Sequence, residues 1–96
     1  MTFDDFLASL DHKEPPELPP VLRALWYDKK QQWHQAHQIA QEVHDRNGSW
    51  VHAYLHREEG DKWNAGYWYD RAGKKMPDYS LEEEWDFLVK YFLNRE

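Results

Sequence analysis

Residues 50–73 read WVHAYLHREEGDKWNAGYWYDRAG, and this stretch decides the fold. Apolar and aromatic side chains recur at helical spacing on both sides of Gly60 and Asp61, where a glycine that ends one helix meets an aspartate suited to cap the next. Two helices folded on a hinge are therefore expected. The first runs from a Ser49 cap to about Glu59, and the second from Asp61 to about Ala72.

Shifting the sequence by twenty-nine residues lays a second hairpin over this one. Val21 and Leu22 fall on Trp50 and Val51, Ala24 on Ala53, Leu25 on Tyr54, Tyr27 on His56, Gln31 on Gly60, Ala36 on Ala65, Ile39 on Trp68 and Ala40 on Tyr69. Small residues meet small ones and large meet large. Helices approach closely only where a small side chain stands at the crossing, here Ala24 against Ala36 and Ala53 against Ala65. The first hairpin opens at Pro20, which suits a first helical turn, and pauses near Lys30. It continues through Trp33, Ala36, Ile39, Ala40 and Val43 to a turn at Asp45-Arg46-Asn47-Gly48.

The succession Ala53, His56, Gly60, Ala65, Tyr69, Ala72, Pro77 resembles a tetratricopeptide-type (TPR-like) helical hairpin, with His56 where a tyrosine is usual. Residues 20–48 match more loosely, since Gln31 replaces the hinge glycine and Gly48 the closing proline. The resemblance implies two tandem hairpins over residues 20–78. The same stretch also resembles a block, VHAYLHRxEGDxxNAxYWYxRAG, shared by a group of small uncharacterised proteins, which implies no activity.

Outside the hairpins, Thr2 can cap a short helix bearing Phe3, Phe6, Leu7 and Leu10. Residues 11–20, DHKEPPELPP, hold four of the five prolines and are expected to form an extended strap rather than helix. Ser80 and Glu83 form a capping box for a last helix with Leu81, Trp85, Leu88 and Phe92 on one stripe. That helix is expected to close the open end of the second hairpin. Phe87 and Tyr91 lie off the stripe, which predicts either burial on two sides or a homo-oligomer contact. The expected fold class is all-α, about five helices in a single domain: residues 1–19 as helix and strap, 20–78 as hairpins, 79–96 as a capping helix.

Charged residues make up 31% of the chain and mean hydropathy is -1.07, values found in disordered chains. Six Trp, six Tyr and four Phe decide against disorder, because rings supply the apolar surface that Ile, Val and Leu do not. A net charge of -6 argues against a nucleic-acid partner. No run has the length of a membrane span, and the acidic first residues lack the basic start of a secretory signal. A cytoplasmic protein is expected. The absence of cysteine excludes disulfides, thiolate catalysis and Cys-ligated zinc.

His52 and His56, four apart on one helix, can share a metal ion. A third ligand would come from His37 or His34 on the neighbouring helix, or from Glu59 or Asp61, and such a set suits zinc or iron. Ala53 follows His52, so the HExxH arrangement is absent. The competing structural explanation is that His56 packs in place of a tyrosine while His52 sits at the helix edge. A second constellation, Asn64, Tyr67, Trp68 and Arg71, offers an amide, rings and a guanidinium to an anionic or aromatic ligand. Its plainer explanation puts Trp68 and Tyr69 in the core and pairs Arg71 with Asp70 or Glu58. The acidic runs HREEGD and LEEEWD read as solvated helix faces. No phosphate loop, Ser-His-Asp order or nucleophile elbow is present. The expected function is binding or scaffolding of a protein segment or small ligand on the hairpins, with His37, His52, His56, Asn64, Tyr67 and Arg71 as candidate contacts. The alternative is a metal-dependent protein built on His52 and His56.

Overall fold

A computed structural model describes residues 1–95; position 96, the end of the expected capping segment, lies outside them. Thr2 caps α1 (Phe3–Ser9) through a full capping box with Asp5. The chain then forms α2 (Pro20–Lys29), α3 (Trp33–Gln41), α4 (Arg46–Glu58), α5 (Lys62–Ala72) and α6 (Leu81–Leu93). Among the described residues there are six helices and no strand, one helix more than the five or so expected. The reciprocal cap at Thr2 satisfies orphan N–H groups, which lets even a seven-residue segment hold helical form.

The junction between the hairpins departs from the sequence expectation. The cap of α4 is Asp45, whose carboxylate accepts from Gly48 N at 2.9 Å, and Ser49 is already inside the helix. Asp45 to Gly48 is thus cap and first turn rather than loop, and α3 stops at Gln41, short of Val43. Gly48 is needed for space. A Cβ there would sit 1.9 Å from the Val43 carbonyl oxygen, which no side chain tolerates.

Helices α2 with α3, and α4 with α5, form the two closest antiparallel pairs, and α3 on α4 joins them. Ala24, Ala36, Ala53 and Ala65 are all at 0% exposure, as the close-crossing argument requires. Trp26, Tyr69, Trp85 and Phe6 fill the space around them. The strap is held at both ends: Leu18 is buried, and Lys30 Nζ donates to the carbonyls of Leu10 (2.6 Å) and His12 (2.9 Å).

α6 does not run along α5. It lies across α2 and α4, with α1 against it, while α5 packs chiefly on α4 and reaches α6 through Tyr69. Trp85 Nε1 donates to Leu25 O at 3.0 Å and its ring meets Phe6 at 5.9 Å, tying both chain ends to the first hairpin. Glu84 explains the tie to the second. It is 1% exposed, accepts from Arg57 Nη1 at 2.7 Å and from Tyr69 Oη at 2.6 Å, and Arg57 Nη2 also donates to Tyr79 O. LEEEWD is therefore not a purely solvated run. Phe87 is half exposed, whereas Tyr91 packs on Trp50 at 5.1 Å, so the second face of α6 is covered only in part. No helix among the described residues is long and apolar enough to cross a membrane.

Candidate metal centre

The contact of α3 with α4 brings His37 to His52 and His56. The three ring centroids form a triangle with sides of 4.6, 5.2 and 4.8 Å, and one ligand atom from each ring lies within 4.8 Å of the others. His37 Nε2 and His52 Nε2 are 3.0 Å apart. Two imidazole nitrogens on a tetrahedral zinc ion stand about 3.3 Å apart, given Zn–N bonds of about 2.05 Å. The His37 and His52 nitrogens stand near that spacing.

Each ring is fixed by a neighbour. Trp33 stacks on His37 at 4.9 Å and is itself anchored to α4, its Nε1 donating to Leu55 O at 2.9 Å. Trp68 of α5 stacks on His52 at 4.0 Å. His56 Nδ1 is 2.6 Å from a Glu59 carboxylate oxygen, so the ring donates there and leaves Nε2 as the nitrogen that can ligate a metal. A carboxylate behind an imidazole is the arrangement that sets tautomer and raises basicity in metal-ligating histidines. Burial, with the neighbouring imidazoles adding to it, pushes His52 down to about 4, and burial lowers His37 as well. Both rings are neutral at physiological pH, the form that ligates.

His34, the other His offered from α3, is exposed beside Trp33 and outside the triangle. Asp61 caps α5, accepting from Asn64 N and, at 2.7 Å, from Asn64 Nδ2; the latter bond is the main reason its carboxyl titrates low. Asn64 thus has a local duty that its sequence position did not disclose. Asp61 also groups with His56 and Glu59 within ligand distance, on the exposed side. Arg71 donates to Tyr67 Oη at 3.3 Å and lies 5.3 Å over Trp68; among the described residues it pairs with neither Asp70 nor Glu58.

Glu58 of the HREEGD run has a different partner. It faces Asp28, which is 6% exposed, and burial followed by its closeness to Asp28 raises its pKa well above the carboxylate range. Burial raises Asp28 too. Carboxyls raised together in this way favour holding one proton between them. Neither this pair nor Glu84 was recognised from sequence, although Glu84 stands three after Leu81 and four before Leu88, on the apolar stripe.

No family model, curated protein or solved structure was found to match this chain.

Proposed function

We propose that the protein binds a divalent transition metal, zinc first and iron(II) as the competing ion, through His37, His52 and His56. One observation carries this reading: three imidazoles from two helices bring one ligand atom each within 4.8 Å of one another, with Glu59 behind one of them. A hydrogen bond between two neutral rings would account for His37 and His52 alone. It gives no reason for the third ring, nor for the tryptophan stacked on each side. We read the scaffold as two TPR-like hairpins whose α2 and α4 face is covered by α1 and α6. That cover leaves the α3, α4, α5 side for function, which supports metal binding over capture of a protein segment along the first helices of the hairpins. Three protein ligands leave a fourth position for water or a small ligand, and a metal there would act as a Lewis acid.

The test uses protein purified without a histidine tag. Titration with Co²⁺, followed by visible absorption, and with Zn²⁺ against a chromophoric chelator should show one equivalent per chain. His37→Ala, His52→Ala and His56→Ala should each abolish it, Glu59→Gln should weaken it about 10- to 100-fold, and His34→Ala and His44→Ala should leave it intact. Stoichiometric binding that survives His52→Ala in a folded variant would refute the site, as would no saturable binding in the wild type.

A further inference from the structure

A cleft of about 360 Å³ opens beside the metal centre, between the end of α3, the start of α4 and the outer turns of α5. His52 forms part of its wall, with Trp68, Arg71, Arg46, Ser49 and Asp45 around it. We infer that this cleft is a binding site for a small oxyanion, the phosphate or carboxylate group of a compact molecule.

Three features point to that chemistry. The first is charge: in a chain of net -6, two guanidinium groups face this cleft against one carboxylate, and the Asp45 carboxylate is engaged by Gly48 N. Among the described residues neither Arg46 nor Arg71 forms an ion pair. The second is fixation. Arg71 is laid over Trp68 and Tyr67, at 5.3 and 5.8 Å from their ring centroids, and hydrogen-bonded to the Tyr67 hydroxyl, so its planar fork is held in place before a ligand arrives. The third is Ser49. It is nine-tenths buried and lines the cleft, and its hydroxyl has no hydrogen-bond partner among the described residues, although it is not sealed from the cleft space. That hydroxyl is therefore free to donate to a ligand seated in the cleft. The volume suits a small molecule. Trp68 has one face on His52 and the other under Arg71, so it serves as a rigid wall more than as a stacking platform.

The site does not depend on the metal reading, although His52 belongs to both and would couple them. Full-length protein, zinc-loaded and metal-free, would be titrated with inorganic phosphate and separately with benzoate while backbone amide NMR shifts are followed. Saturable shifts confined to Ser49, His52, Trp68, Arg71 and the start of α4, with either probe, are expected. The tighter probe identifies the anion class. Arg71→Gln should weaken binding at least tenfold and Ser49→Ala severalfold, while Arg23→Gln, outside the cleft, should not change it. Ser49→Ala keeps the test decisive if Arg71→Gln disturbs the Trp68 stack. Linear shifts scattered over all basic residues, or equal binding by wild type and both cleft variants, would overturn the inference. The Co²⁺ titration above would be untouched by that failure.

Discussion

The two helix pairs, α2 with α3 and α4 with α5, treat positions twenty-nine residues apart in different ways. Asp28 near the end of α2 and Arg57 near the end of α4 are related by the twenty-nine-residue offset, and both carry charge into the interior. Arg57 is matched there: Glu84 takes its charge, and the carboxylate is completed by the Tyr69 hydroxyl. Among the described residues Asp28 has no ion-pair partner; it faces Glu58 on α4 instead, and burial raises the pKa of both carboxyls. Positions matched by the offset can thus be met by a buried ion pair in one place and by a pair of raised carboxyls in the other, where the surroundings diverge.

The largest effect should come from breaking the ion pair. Glu84→Ala strands the Arg57 guanidinium and the Tyr69 hydroxyl, and loss of one partner of a buried pair costs about 3–5 kcal/mol. Native domains have only about 5–15 kcal/mol in total. Urea denaturation should show most of the stability gone, and α6 should lose its hold on the second hairpin first. Replacing both partners, Arg57→Met with Glu84→Leu, should recover much of the loss. A Glu84→Ala variant within 1 kcal/mol of wild type, on the scale of an exposed pair, would show that the network contributes little.

The carboxyl pair should respond to pH in the opposite sense to ordinary carboxylates. Because the folded-state pKa of Glu58 lies above its unfolded value, the native state binds the extra proton. Its stabilising contribution is complete below the unfolded pKa and is lost as pH rises toward the folded one. Between pH 7 and 8.5, above the histidine range, wild-type stability should therefore fall, by at most about 1.4 kcal/mol per pH unit for one proton. Glu58→Gln should remove that slope and be no less stable than wild type at pH 8.5. Parallel pH profiles for the two proteins would dismiss the shared proton.

Much of this architecture was legible in the sequence because it rests on local rules. Thr2, Asp61 and Ser80 cap helices as their residue types dictate, and the alanines at the crossings are buried because only small side chains fit there. Of the candidate site, the His52 and His56 pair follows from helical spacing alone. His37 required α3 to face α4, and among four surrounding polar residues the sequence could not rank it above His34. What remained hidden was long range. The path of α6 depends on Glu84 meeting Arg57 across twenty-seven residues, and the Asp28 and Glu58 contact spans thirty; no local pattern encodes either. Tertiary partners also reversed the meaning of the acidic runs, since a carboxylate on an apolar stripe is a buried group once a cation is supplied.

The smallest effect should appear at the hinges, where the comparison can be measured from both sides. Gln31 and Gly60 occupy matching positions, and both have positive φ, 63° and 89°. Sequence had marked Gln31 as a departure from the hinge pattern, yet the backbone takes the left-handed conformation all the same. For a residue with a Cβ that conformation costs about 1–2 kcal/mol, whereas glycine adopts it freely. Glycine also enlarges the unfolded ensemble, which returns about 0.4–1 kcal/mol of the gain. Gln31→Gly should therefore stabilise the protein by about 0.5–1 kcal/mol. Gly60→Ala should destabilise it by a little more than that, and by backbone strain alone, because nothing lies within 4 Å of where its Cβ would stand. Opposite signs and similar sizes in urea denaturation would establish that the hinges are one conformational element with two sequences. If Gln31→Gly destabilised the protein instead, the glutamine side chain would be making a contact that outweighs the strain, and the two hinges would not be equivalent.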